Sequence, residues 1–375
     1  ESKKIGLIRA HLEEDAGKSV HDEAAGKADS EIDLNRTGTP LLEIVSQPDM
    51  RSSAEAKAYL QELKLLLTYI GVSDCNMQEG SLRVDANVNL HIGKDGQRIA
   101  TPIVEIKNMN SFRAVERALD YEAVRQWREW QETGRRLGDA PKQTRGWDDA
   151  AGVTRAQRSK EESSDYRYFP DPDLAPVTTT AEQLELVRKS LGELPANLRL
   201  RLRDSYQLSD YDADVLVNQG RGVVDYYLAV ADASQDPKAA ANWVTQQVLR
   251  ELKDSERSID QFGITAPRLA GMITAVNDGR LPNTRSSEAF QQMLAKGCDV
   301  EAALAELKVE RVDESALIAL VESLLAANPK TVADIRAGKL QASGALIGQA
   351  KKQNPNVDPN RVRELAIELA NKVDA

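Results

Sequence analysis

HLEEDAGKSVHDEAAGKADSEIDLNRTGTPLLEIV, residues 11–45, packs carboxylates, small residues and lysine between two apolar runs that read as strands. From Ile5 to Leu12 the chain alternates, with Gly6, Ile8, Ala10 and Leu12 on one side and Leu7, Arg9 and His11 on the other, the pattern of a half-buried strand. Glu13, Glu14 and Asp15 follow where that strand ends. Adjacent acids repel unless a cation, a helix N-terminus or water lies among them, so a trio at this place is a candidate seat for a hard divalent ion. Ala16, Gly17 and Lys18 come next; they allow close backbone approach and supply a point charge able to meet a phosphate. Glu43 interrupts the run Leu41, Leu42, Ile44, Val45, and a charge inside such a run is costly unless it is paired or binds a metal. The same residues also fit a plainer reading, a solvated turn at 13–15 and an outward-facing Glu43 on an edge strand, because charge runs usually lie at the surface.

Downstream, Ser52 and Glu55 have capping-box spacing, and Ala56, Tyr59, Leu60, Leu63, Leu66, Leu67 and Ile70 repeat at helical intervals before Gly71, which predicts a packing helix. Residues 81–92 change to a period of two. Leu82, Val84, Ala86, Val88, Leu90 and Ile92 face one way; Arg83, Asp85, Asn87, Asn89 and His91 face the other. Asp and Asn are depleted in strands, so their alternation here suits the floor of a site about as well as an outer sheet surface. A further strand, Pro102 to Lys107, carries Glu105 and Lys107 on one face and leads through Asn108 to Ser111 into a helix from Phe112 to about Glu132. Gln143 to Arg158 reads as a hairpin turning near Ala151 and Gly152. Pro170, Pro172 and Pro176 then forbid regular structure, and from about Ala181 onward the patterns are helical, broken near Leu194 to Asn197, Gln219 to Gly222 and Pro282 to Thr284. The fold class is therefore α+β: a mixed α/β domain over 1–180, an all-helical module over 181–308 and a small helical tail over 309–375.

Composition narrows the function classes. With 375 residues and 41% hydrophobic content the chain can build two or three cores, and no apolar run approaches the roughly 18 residues that span a membrane. No signal peptide opens it, and Cys75 and Cys298 form no CxxC pair, so a reducing, cytoplasmic setting and no internal zinc site are expected. A net charge of -10 argues against a generally basic nucleic-acid binder. Any RNA contact must be local, and the tail offers a place for it: from Pro329 to Ala375 eight basic residues face five acids. Lys351, Lys352, Arg361 and Arg363 are the candidate phosphate contacts in that island, although a helical bundle shows such an imbalance by chance about as often.

The segments GLIRAHLEEDAGKSVH, DLNRTGTPLLEIVSQPDMRS, GVSDCNMQEGSLRVDANVNL, VEIKNMNSFRAVERALDYE and DYRYFPDPDL follow one another in an order and spacing that closely resemble the B subunit of the tRNA-dependent aspartyl/glutamyl-tRNA amidotransferase. The resemblance runs from about Ile5 to the C-terminus. Members of that family open with a further N-terminal segment that carries a histidine-bearing strand and often a zinc-binding cysteine cluster, so the chain reads as a fragment whose catalytic domain lacks its first half. Such a fragment is expected to be inactive by itself and to leave an unpaired sheet edge.

What the resemblance implies is a cradle-like catalytic domain and a two-step amidation. ATP phosphorylates the side-chain carboxylate of a glutamate or aspartate mischarged on tRNA(Gln) or tRNA(Asn). Ammonia from the glutaminase A subunit, delivered through a channel, then displaces the phosphate. A small C subunit completes the heterotrimer, and a family tail grips the outer corner of the tRNA. Phosphoryl transfer needs positioned charge, so Mg2+ held by carboxylates and lysines near the phosphates are the expected parts. Matched motif by motif, Glu14 and Glu43 are assigned to magnesium and the channel mouth, with Glu13 and Asp15 beside them. Lys18 and Lys107 as candidate catalytic lysines, and Asp85, Asn87 and Glu105 as candidate nucleotide-binding groups, rest on strand-face geometry more than on the motif match. No Ser-Lys amidase signature is present, so glutamine hydrolysis belongs to another chain. Two alternatives stand beside this reading. The archaeal E subunit shares the motifs, but the direct passage from Pro176 into helices leaves no room for its extra synthetase-like domain. A tRNA-binding scaffold with a dead site is the other. The residues do not choose between Asp-tRNA(Asn) and Glu-tRNA(Gln).

Overall fold

The structure is a computed structural model that describes residues 3–21, 30–157, 175–309 and 313–372, with the side chains of all of these but 18–21 and 30. The chain divides into two compact units, Glu1–Gly192 and Glu193–Ala375.

Unit 1 begins with β1 (Leu7–Glu14), β2 (Lys18–His21), β3 (Ser30–Asp33) and β4 (Pro40–Ser46). β1 pairs antiparallel with β4, and β2 with β3, as separate two-stranded ribbons. The turn that closes β1 is tight. A Cβ on Gly17 would stand 2.8 Å from Leu34 Cδ2, the close approach its sequence position suggests. The alternation of β1 predicts a half-buried strand, and here the structure differs: every β1 residue is exposed, Leu12 at 74%. Among the described residues no third strand joins this ribbon, so alternation alone does not bury one of its faces.

α1 (Ser53–Tyr69) starts on Ser52, whose side chain accepts from the Glu55 N–H at 3.2 Å. The capping box is only half made. Glu55 turns outward to the Arg51 N–H at 2.7 Å and to Lys3 Nζ at 2.6 Å. The strand read over 81–92 is two pieces, β5 (Ala86–Val88) and β6 (His91–Lys94). It breaks because Asn89 Nδ2 donates to the Thr101 carbonyl at 3.1 Å and the Leu90 N–H to Thr101 Oγ1 at 2.8 Å, which turns the chain out of the sheet. β6 forms a hairpin with β7 (Gln97–Ala100), and Asp95 and Gly96 between them both have φ above +50°, as a tight two-residue turn requires.

The main sheet runs β10-β9-β8-β5, built from β5, β8 (Val104–Lys107), β9 (Gln143–Asp148) and β10 (Val153–Ala156). β8 and β9 are parallel, and the crossover between them is α2 (Phe112–Thr133), capped by Ser111 and closed by Gly134 in the left-handed region. β9 and β10 are the hairpin expected over 143–158, up to the last described residue there. Val104, Ile106, Ala114, Val115, Ala118 and Trp147 form the core between sheet and helix, with Leu60 from α1. Salt bridges and hydrogen bonds tie α1 to α2 at Lys57–Glu116 (2.7 Å) and Ser53–Asp120 (2.5 Å).

From α3 (Ala181–Ser190) on, the described chain contains helices and no strand. Unit 2 comprises α4 (Pro195–Asp204), α5 (Asp210–Asn218), α6 (Arg221–Ser234), α7 (Pro237–Trp243), a π turn at Val244–Val248, α8 (Leu249–Ser255), α9 (Ala266–Asn277), α10 (Ser286–Lys296) and α11 (Val300–Glu306), then α12 (Glu314–Ala327), α13 (Pro329–Arg336), α14 (Ser343–Gln353) and α15 (Pro359–Lys372). The break expected at 194–197 is shorter, because Pro195 opens α4 at the first helical position, where its missing N–H is no loss. The last four helices enclose a core of their own, with Val321, Leu346, Val357, Val362 and Ala366 fully buried. Arg285 joins that part to α11: its guanidinium donates to Asn356 Oδ1 at 2.8 Å and to the Leu307 carbonyl at 3.2 Å. Among the described residues no single helix is long and apolar enough to cross a membrane.

Candidate functional site

Register decides what the acids of the β1–β4 ribbon can do together. His11 lies opposite Glu43, Arg9 opposite Val45 and Glu14 opposite Pro40. Side chains alternate along a strand, so Arg9, His11, Glu13 and Glu43 share one face, while Glu14 goes with Leu12 and Leu42 on the other. One ligand atom each from His11, Glu13 and Glu43 lie within 4.8 Å of one another. All three residues are exposed, and Arg9 Nη2 stands 2.8 Å from Glu43 Oε2, a positive charge already drawn to this face. Glu14 and Glu43, expected to share a cluster, fall on opposite faces of the ribbon by this register. Asp15 is engaged elsewhere, with Arg36 at 3.3 Å. His11 is the residue that motif matching misses, and the alternation that groups Arg9 with His11 is the signal for it. Lys18 stands in β2 opposite Asp33; its side chain lies outside the described residues, as does the whole of DYRYFPDPDL, 165–174.

A second group gathers on the outer face of the main sheet. Asn87 pairs with Glu105 across β5 and β8, and Glu105 and Lys107 pair with Thr144 and Gly146 across β8 and β9. Lys107 Nζ is 3.6 Å from Asp85 and 3.7 Å from Glu105, and Lys142 Nζ approaches the other Glu105 oxygen at 3.4 Å. Thr144 Oγ1 donates to Glu105 Oε2 at 3.2 Å. The sequence-derived set Asp85, Asn87, Glu105 and Lys107 is therefore one patch, to which Lys142, just before β9, and Thr144 of β9 are added. Over Gly146 the space is filled: a Cβ there would meet the Gln157 amide at 2.5 Å and Asn108 Nδ2 at 3.0 Å. Two ammonium groups held by carboxylates and bordered by amides and a hydroxyl form a surface that can exchange its internal ion pairs for the oxygens of a polyphosphate.

The tail candidates separate. Lys351 and Lys352 lie exposed in the last turn of α14, and Arg363 is exposed on α15. Arg361 is committed: it is ion-paired with Glu314 and, at 3.0 Å, with Glu364. Its charge is locally balanced, so the island is smaller than a residue count implies.

Residues 1–185 match the family model described as GatB/GatE catalytic domain, and residues 225–369 the one described as GatB domain. Among curated proteins, the B subunit of an aspartyl/glutamyl-tRNA(Asn/Gln) amidotransferase from Rhodopirellula baltica is 58% identical over 371 residues, covering 99% of this chain and 75% of that protein. Proteins of the same name from Thiobacillus denitrificans and Carboxydothermus hydrogenoformans are 45% and 42% identical, each over 97% of this chain and 75% of their own length.

Proposed function

Because the chain belongs to the family of aspartyl/glutamyl-tRNA(Asn/Gln) amidotransferase B subunits, which amidate mischarged tRNA, we propose that its unit 1 carries the ATP-dependent half of that reaction, on the ribbon face and the sheet face described above. The observation that carries this reading is the convergence of His11, Glu13 and Glu43. Two carboxylates and an imidazole fit a divalent cation, and Mg2+ commonly takes one or two carboxylates together with substrate phosphates. Bound there, the ion would supply charge neutralisation at the transferring phosphoryl group.

The chain's own residues do the positioning. Glu13, Glu43 and His11 would hold the ion, and Arg9 keeps Glu43 oriented. Lys107 and Lys142 receive the nucleotide phosphates, while Asp85, Asn87 and Glu105 fix those lysines and the sugar or base edge. A carboxylate oxygen of the mischarged Glu or Asp attacks the γ-phosphorus and ADP leaves. Ammonia from the A subunit then attacks the acyl carbon and inorganic phosphate leaves. The heterotrimer with A and C subunits is the working form, and we place it in the cytoplasm. We assign the tail over 309–375 to holding the tRNA away from the reactive end.

With A and C subunits supplied, γ-phosphoryl transfer from labelled ATP to mischarged tRNA should appear and should vanish when divalent ions are chelated. Tight tRNA binding without any transfer would leave a scaffold. The tail has a separate test. Replacing Lys351, Lys352 and Arg363 by Ala should weaken tRNA binding and flatten its dependence on salt, by roughly 0.7–0.9 in log–log slope for each phosphate no longer neutralised. Arg361→Ala should change the slope less, since Glu314 and Glu364 already balance that charge. Equal slopes for the triple variant and the parent would remove the tail from the RNA interface.

A further inference from the structure

Under the main sheet, on the side opposite Asp85 and Lys107, lies a charge for which the reaction scheme has no use. Glu122 of α2 has no exposed surface. Its carboxylate accepts from Arg125 Nε at 3.0 Å on both oxygens, from Thr154 Oγ1 at 2.8 Å and from Gln126 Nε2 at 3.2 Å. Arg145 Nε is 3.7 Å away. A buried carboxylate is tolerated only when it is paired and fully hydrogen-bonded, and this one is. Burial works against the Arg125 charge, and Glu122 with Glu129 more than offsets it, so the guanidinium stays charged.

The connections of this group run to β9, β10 and β5, the neighbours of β8 in and beside the patch. Arg145 donates to Thr154 twice, from Nε to the hydroxyl at 2.8 Å and from Nη2 to the carbonyl at 2.7 Å. The Thr154 hydroxyl therefore accepts from β9 and donates its own hydrogen bond to Glu122 on α2. Gln126 extends the network, accepting from Thr101 Oγ1 at 2.9 Å and donating to the Val88 carbonyl in β5 at 3.1 Å. On β9, Arg145 sits between Thr144 and Gly146, the two residues that pair with Glu105 and Lys107. Alternation puts Arg145 on the α2 side and Thr144 on the patch side of the same three residues.

We propose that Glu122 is a positioning residue for the phosphoryl-transfer step: through Thr154 and Arg145 it fixes β9, and so holds Lys142, Thr144 and Glu105 in the arrangement that presents Lys107. The inference rests on the reading of that patch as the nucleotide surface. A buried ion network with a purely structural role would stabilise unit 1 and nothing more. A positioning role makes the network and the patch one functional object, and their losses cannot multiply.

The test uses the reconstituted complex with A and C subunits and a double-mutant cycle on activity. Thr154→Val removes the relaying hydroxyl with little change of shape, and Glu122→Gln replaces an acceptor by a group that must point a donor at donors. Thr154→Val should lower kcat about ten- to a hundredfold, the scale of loss when reacting groups drift by up to an ångström, with KM for aminoacyl-tRNA unchanged. Lys107→Ala should lower kcat by itself, and Thr154→Val should add less than about twofold to it, the signature of coupled sites. If Glu122→Gln does not fold, Thr154→Val still decides the question. Losses that multiply, or a fall in kcat that follows a lowered Tm, would overturn the positioning role while leaving the patch in place. A Lys107→Ala complex with undiminished kcat would overturn the nucleotide reading of the patch, and the inference with it.

Discussion

Glu43→Gln in the complete complex should lower kcat/KM for amidation about 100-fold, roughly 3 kcal/mol of transition-state stabilisation, by taking one anionic ligand from the proposed seat of a divalent cation. Affinity for the mischarged tRNA should stay within about twofold, because on the proposed reading the ribbon face supplies chemistry while phosphate contacts elsewhere hold the RNA. Glu43 also anchors Arg9 at 2.8 Å, so the substitution frees a guanidinium beside His11 and deepens the effect. Glu14→Gln on the opposite face gives the contrast, with a much smaller loss. Comparable losses for the two variants would mean that the register does not decide which acids act. A parallel fall in tRNA binding would point to a damaged fold.

Phe290→Ala should be the most destabilising single change in unit 2. Its side chain is fully buried and its ring stands 5.5 Å from that of Trp243 and 6.4 Å from that of Phe262. Truncation of a buried phenylalanine costs about 3–5 kcal/mol through lost transfer energy and the cavity left behind. For a unit of this size that corresponds to a fall in Tm of roughly 6–20 °C, measurable by calorimetry. Activity assayed well below that Tm should be nearly normal, since Phe290 is buried in the core of unit 2 and both candidate surfaces belong to unit 1. A shift of only a degree or two would mean that Trp243 and Phe262 close over the gap.

The parts of the structure legible in the sequence are those fixed by local periodicity. Leu60 and Leu67 mark the buried side of α1, Ala114, Val115 and Ala118 that of α2, and the alternation about Ala86 and Val88 survives although the strand there is interrupted. What the sequence hides is pairing. Whether Glu13 or Glu14 stands with Glu43 depends on a one-residue register between strands far apart in the chain, and a slip of one exchanges the faces. Lys142 and Thr144 cannot be attached to Glu105 until β9 is known to lie parallel to β8. Glu122 is hidden differently. An acid on an amphipathic helix reads as surface, and only the arrival of Thr154 and Arg145 from later strands makes it interior.

The parallel pairing of β8 with β9 across α2 also bears on how the chain acquires its structure. Unit 1 is assembled from partners remote in sequence, a topology that closes slowly because loop entropy must be met before the contacts repay it. Unit 2 is made of helices whose neighbours are mostly near in sequence, and such bundles close fast. Synthesis delivers them in the opposite order to their speed. While residues 193–375 are being added, at about 5–20 residues per second, the sheet has roughly 10–40 s to find its register before the helical half is complete. Refolding of the finished chain from denaturant removes that head start, and there the early-forming helices would meet an unfinished sheet; yield after dilution should fall below yield from translation for this reason.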